Sequence, residues 1–103
     1  MANRNKDFNE FVALQFEDID FSRAYIMNLV NNEGLSLEES LRETVVSMGL
    51  KVFANKAGLS IQYVSDFVSK RKKLSIKTIE KYMSKVFQLR IKVSVEPIHK
   101  DVA

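Results

Sequence analysis

Between Ser60 and Lys73 the chain sets out side chains whose types and spacing suit recognition of a nucleic acid: Ser60, Ile61, Gln62, Tyr63, Ser65, Asp66 and Ser69, then the run Lys70-Arg71-Lys72-Lys73. A glutamine amide such as that of Gln62 can pair with N6 and N7 of adenine, worth about 1–3 kcal/mol of discrimination, and Ile61 could touch a thymine methyl. Ser60 could bond a phosphate. Asp66 is anionic, so beside DNA it would accept from a cytosine N4 or hold a neighbouring lysine. Tyr63 could contact a base or pack on a neighbouring helix. The four consecutive cations suit phosphate oxygens, which position a protein without choosing sequence. A solvated loop and a nuclear-localisation signal are the other readings of that run.

Such side chains need elements that hold them, and Leu50 to Phe67 supplies them. Phe53, Ala54 and Ala57 fall at i, i+1 and i+4 and share one face of a short helix. Gly58 ends it, because a glycine takes the left-handed conformation that reverses the chain within a few residues, where a Cβ costs roughly 1 kcal/mol or more. Leu59 can plug the corner and Ser60 is a good N-cap. Behind it Val64, Phe67 and Val68 form the inner face of a second helix, with Gln62, Tyr63, Ser65, Asp66 and Ser69 opposite. The small Ala54 allows the two helices to approach closely.

At Phe53, Ala54, Gly58, Leu59, Ser60, Val64 and Phe67 the sequence resembles the lambda-repressor-like (Cro/CI-type) class of helix-turn-helix proteins. Across residues 21 to 95 the layout looks like the HigA-like antitoxins, or addiction-module antidote proteins. The resemblance implies a bacterial, cytoplasmic, DNA-binding repressor whose second motif helix lies in the major groove. It also implies a partner toxin and autoregulation of the operon. One departure concerns the start of the first motif helix, where many members carry a glutamine or threonine that bonds a phosphate. This chain has Leu50 and Lys51 there, and Lys51 could supply that contact.

The chain's 103 residues, 46% of them hydrophobic, suffice for one domain with a modest core. No cysteine is present, which excludes disulfides and thiolate metal sites. The start, MANRNKDF, lacks the apolar core of a secretory signal, and no apolar run approaches the roughly 20 residues of a membrane span. The expectation is a cytoplasmic protein without a membrane partner.

A net charge of +3 hides a division along the chain. Residues 1–49 carry four cations against nine carboxylates, net −5, whereas residues 50–103 carry twelve cations against four carboxylates, net +8. The basic half contains the motif, which makes a phosphate footprint the reading to prefer over lysine-rich solvated surface.

Elsewhere, Phe8, Phe11, Val12 and Phe16 suggest a short helix or packed arm over residues 1–20, ending in the acidic connection Glu17 to Asp20. From Ser22, Tyr25, Ile26, Leu29 and Val30 mark a helix that stops at Asn31-Asn32-Glu33-Gly34. Ser36 and Glu39 form a capping-box pattern for a helix through about Met48, with Leu37, Leu41, Val45 and Met48 inward. Ser75 caps a last helix with Ile76, Ile79, Met83, Val86 and Phe87 inward, and Lys77, Glu80, Lys81, Ser84 and Lys85 facing water or phosphate. Leu89, Ile91, Val93 and Val95 then alternate with Arg90, Lys92, Ser94 and Glu96, a period of two that predicts a strand ended by Pro97. A lone strand needs a partner. Pairing between two copies through Arg90, Ile91, Lys92, Val93, Ser94 and Val95 would supply one and give the homodimer that helix-turn-helix proteins usually need. Packing on the chain's own helices, or pairing with a different protein, are the alternatives. The predicted architecture is mostly α: a five-helix domain over residues 21–96 with an N-terminal helical extension, one C-terminal strand and a loose tail, 97–103.

An enzyme is not expected. His99, the single histidine, falls in the tail, and no HExxH, GxSxG or phosphate-loop pattern is present. Carboxylate pairs such as Asp18 with Asp20 and Glu38 with Glu39 read as surface charge and capping, so neither metal nor cofactor is predicted. The expectation is a sequence-specific DNA-binding repressor, the antitoxin of a toxin–antitoxin pair, with double-stranded DNA and a cognate toxin as partners. Two competitors stand beside it: a stand-alone phage-type regulator, and a protein-interaction module that recruits a partner through the C-terminal strand by β-augmentation.

Overall fold

Four side-chain oxygens start four helices. Asp18, Ser36, Ser60 and Ser75 accept hydrogen bonds from the backbone N–H groups of Asp20 (2.9 Å), Glu39 (3.1 Å), Tyr63 (3.1 Å) and Thr78 (3.2 Å), satisfying donors that the first turn of a helix cannot satisfy internally. The structure is a computed structural model and describes residues 11–70 and 72–98. Helical residues 11–15 form α1, followed by α2 (Ile19–Asn31), α3 (Leu37–Met48), α4 (Leu50–Ala57), α5 (Ile61–Val68) and α6 (Ile76–Phe87). No described helix is long and apolar enough to cross a membrane.

The centre of the molecule is α3, which packs on α2, α4, α5 and α6. Leu41, Val45 and Met48 run along its inner side and are buried with Phe53 and Ala54 of α4, Val64 and Phe67 of α5, and Ile79, Met83 and Phe87 of α6. The Phe53 ring stacks with Phe87 at 6.5 Å and meets Tyr82 edge-on at 5.9 Å, a geometry that the aromatic quadrupole favours. A second aromatic group ties α1 to α2: Phe16, 2% exposed, lies 5.1 Å from Phe21 and 5.0 Å from Tyr25, ring centre to ring centre. Tyr25 in turn shares a 2.8 Å hydroxyl hydrogen bond with Ser47 of α3.

Glycine makes the two tight corners around α4. At Gly49 the backbone passes from α3 to α4 at φ +106°, and at Gly58 it reverses toward α5 at φ +72°. The N–H groups of Gly58 and Leu59 both turn back onto the Ala54 carbonyl, and Leu59 is half-buried against the core.

Several expectations need correction. No strand exists among the described residues. After α6 the chain turns at Gln88 (φ +55°) and residues 89–98 run without regular secondary structure. Leu89 and Ile91 pack on the core beside Ile26, Met27 and Met83, while Val93, at 76% exposed, and Val95, at 93%, leave it. The reason is physical: a strand must pair its backbone N–H and C=O groups along an edge, and the described residues present none. The period-two pattern therefore seats alternate residues in a groove between helices instead. The interface expected of Arg90, Ile91, Lys92, Val93, Ser94 and Val95 rested on that strand and is withdrawn with it. Further differences are local. The second helix starts at Ile19 rather than Ser22, because Asp18 caps it and Ser22 turns its hydroxyl back to the Phe16 carbonyl at 3.1 Å. Ile76 is 52% exposed, and Tyr82 takes the inward place expected of it. Phe8, His99 and the tail beyond residue 98 lie outside the described residues.

Two sets of substitutions test this packing. Gly58→Ala forces a Cβ into a left-handed backbone and within 3.1 Å of Lys85 Nζ, whereas Gly34→Ala, at φ +73°, meets nothing within 4 Å. Urea unfolding is expected to show a loss of about 1–2 kcal/mol for Gly34→Ala and a larger one for Gly58→Ala. Ser40 is fully buried in α3, and its hydroxyl has no hydrogen-bond partner among the described residues. Ser40→Ala is expected to raise stability by about 1 kcal/mol in the same assay, because an unsatisfied hydroxyl leaves the core and alanine is the better helix former.

Candidate nucleic-acid interface

The outer side of α5 is set by what its inner side buries. Val64 and Phe67 enter the core, Val68 is half-buried, and Ile61, Gln62, Ser65, Asp66 and Ser69 are left along the outer side, with Gln62 and Ser69 exposed and Ser65 and Asp66 partly so. Within this row Gln62 Nε2 donates to Asp66 Oδ1 at 2.9 Å. The Ser69 hydroxyl donates to the Asp66 carbonyl at 3.2 Å. Ser60 uses an oxygen lone pair as the cap, and its O–H remains a donor at the mouth of the turn. Ile61, 48% exposed, also borders an open groove with Leu14, Phe16, Val52 and Leu59, whose rim carries Lys51 and Lys56.

Tyr63 departs from the row. It reaches back to α6, where its side chain hydrogen-bonds Tyr82, and its ring lies 5.0 Å beneath Lys72 Nζ. Tyr63 is half-buried, so this contact with α6 leaves part of its side chain exposed. Burial pushes the Tyr82 hydroxyl up to about 12, with the Tyr63 hydrogen bond and then the Tyr63 charge acting in the same direction.

The cations are distributed less simply than their sequence run suggests. Lys51 stands exposed in the first turn of α4, a turn that Gly49 leaves without a side-chain cap. Lys70, in the left-handed conformation at φ +68°, ends α5 and directs its amine toward Glu39 at 3.8 Å. That pair is well exposed and contributes little in water. Lys72 is steered by the Tyr63 ring, Lys73 is exposed, and Arg71 lies outside the described residues. Asp66 is the single carboxylate of α5.

Two cations missed as structural parts fix this surface from behind. Arg42 of α3, its side chain only 11% exposed, bonds Glu38 Oε2 at 3.0 Å and also bonds Glu39. Its Nε donates to the Phe67 carbonyl at 3.1 Å, with the guanidinium 5.0 Å from the Phe67 ring centre. One side chain thereby caps the end of α5 and clamps it to the start of α3. Lys85 of α6 does the same for α4, donating to the Ala57 carbonyl at 3.1 Å. Cations at helix C-termini meet both unpaired carbonyls and the negative end of the dipole. No local sequence signal announces either contact, because each partner is more than twenty residues away.

Among the described residues no group of three or more His, Cys, Asp or Glu is placed to hold a metal ion. No protein-family model, curated protein or solved structure matches the chain.

The raised Tyr82 value gives a pH test. A hydroxyl that ionises near 10 when unfolded and near 12 when folded keeps its full stabilising contribution below about pH 10 and loses it as pH climbs toward about 12. Urea midpoints measured from about pH 9 to about pH 11 are expected to fall more steeply for the wild type than for Tyr82→Phe. Parallel slopes would show that Tyr82 ionises at an ordinary value.

Proposed function

We propose that the chain is a sequence-specific DNA-binding repressor that inserts the outer face of α5 into the major groove. The observation that carries this reading is the α4–turn–α5 pair: two eight-residue helices joined through Gly58, the second clamped at its end by Arg42 and leaving Gln62, Ser65, Asp66 and Ser69 outward. A helix held by its inner side with a polar outer row is what base readout requires. Around it, Lys51, Lys72 and Lys73 are exposed cations that this reading assigns to backbone phosphates, and the first turn of α4, without a side-chain cap, would offer backbone N–H groups to one of them. Ser60 would bond a phosphate through its free O–H, and Ile61 would meet a thymine methyl.

A recognition helix of this size reads only a few base pairs, so the reading includes a twofold dimer spanning successive major-groove turns roughly 34 Å apart. The resemblance to HigA-like antitoxins extends the proposal: the repressor would control its own operon and cover a toxin encoded beside it, an intracellular role. A stand-alone regulator would use the same DNA face, and the absence of a toxin gene next to this one would favour it.

Binding to a duplex from the chain's own promoter and to a scrambled duplex, titrated over about 50–200 mM salt, tests the reading. The promoter duplex is expected to bind more tightly, with affinity falling steeply as salt rises. Gln62→Ala should erase the preference, and Lys72→Ala should weaken both duplexes alike and reduce the salt slope by about 1. Equal binding to both duplexes, or none, would overturn the proposal in favour of a protein-interaction module.

A further inference from the structure

We infer that Asp66 is a positioning residue that fixes which way the Gln62 amide faces, so that the pair selects adenine over guanine at one position of the DNA site; this rests on the DNA-reading function proposed above. Gln62 and Asp66 lie one helical turn apart on the outer side of α5, and Gln62 Nε2 donates to Asp66 Oδ1 at 2.9 Å. A carboxylate only accepts hydrogen bonds, so the amide must present nitrogen to it and never oxygen. The chemistry of the pair therefore dictates the amide's orientation.

With that bond made, Gln62 has one N–H and the Oε1 lone pairs left for a ligand. Adenine offers the complement in the major groove, an acceptor at N7 and a donor at N6. Guanine offers acceptors at both N7 and O6, so it would need two N–H donors from a group that has one to give. An unrestrained glutamine can swing its whole NH2 group across the two guanine acceptors. Gln62 cannot do so without leaving Asp66, and the carboxylate behind it further disfavours an acceptor-rich edge. The same negative charge, the single carboxylate of a helix flanked by lysines, weakens attraction to phosphates in general. Asp66 thus exchanges indiscriminate affinity for a choice of base.

Selection from a random duplex library, followed by titration of the selected duplex and its adenine-to-guanine counterpart, tests this with wild type, Gln62→Ala, Asp66→Ala and Asp66→Asn. The wild type is expected to favour adenine at one position by on the order of tenfold or more, and Gln62→Ala to lose that preference. Asp66→Ala should let guanine in at that position alone and bind scrambled DNA more tightly. Asp66→Asn preserves volume, but its amide can meet Gln62 either way round, so it should relax the choice as well and stands in if the alanine variant does not fold. An adenine preference that needs Gln62 yet survives both Asp66 substitutions would overturn this inference and leave the DNA-reading function intact. A cytosine preference lost with Asp66 would also overturn it, since Asp66 would then read a base directly. A wild type that selects no sequence would overturn both.

Discussion

The architecture turns on the shortness of α4 and α5. Helices of eight residues each are too short to persist alone, since nucleation is costly and isolated helices below about 12–15 residues are marginal in water. Their geometry must be imposed from outside, and α3 imposes it. Leu41 and Val45, neither exposed at all, form the surface on which Phe53, Val64 and Phe67 come to rest. Phe87 and Tyr82 of α6 close the same space from the other side. Because α5 hangs on two inward residues a turn apart, Val64 and Phe67, its rotation about its own axis is settled by their burial. The outward row follows from that rotation.

Apolar contact fixes the rotation of a short helix better than its slide along the axis, and polar contacts supply the second restraint. Arg42 holds the last turn of α5 by a carbonyl and a ring at once, while Glu38 and Glu39 hold Arg42. The Arg42 side chain is 11% exposed, so its bond to the Phe67 carbonyl is partly sheltered from water, whereas Glu39 at the other end is 41% exposed and contributes less. Lys85 treats α4 in the same manner. Both corners of the α4–turn–α5 unit are thus closed by a cation from a neighbouring helix, at the positions where helix carbonyls run out of internal partners.

What the sequence disclosed divides along the same line. Caps at Ser36, Ser60 and Ser75, the turn at Gly58 and the inward residues of α3, α4 and α5 depend on neighbours within four positions, and their signals are local. Arg42, Lys85 and Tyr82 depend on partners more than fifteen positions away, so nothing in their own windows separates a structural cation from a solvated one, or a core tyrosine from a surface one. In the candidate interface the outward row was legible because it is the complement of Val64 and Phe67, whereas the residue on which Tyr63 packs, Tyr82, was not. Residues 89–96 misled for a different reason. A period of two fits any extended segment laid with alternate residues in a groove, and Leu89 and Ile91 do that without a ladder.

The acidic half also takes on a different meaning. A net charge of −5 over residues 1–49 suggests a broad anionic face for a basic partner. Yet Glu38 and Glu39 both face Arg42, with Lys70 also reaching toward Glu39, and Asp18 is engaged in starting α2. Opposite fields speed association only where the charges face solvent unneutralised. Much of the acidity at the start of α3 is used inside the molecule, holding the clamp on α5. Among the described residues, the exposed carboxylates outside that clamp are Glu17, Asp18, Asp20, Glu33 and Glu43, a sparser set than the sequence total implies. Within the first half, the acid of Glu38 and Glu39 and the base of Arg42 therefore belong to a single internal device. The charge of the first half thus reflects how α5 is held as much as what that half could bind.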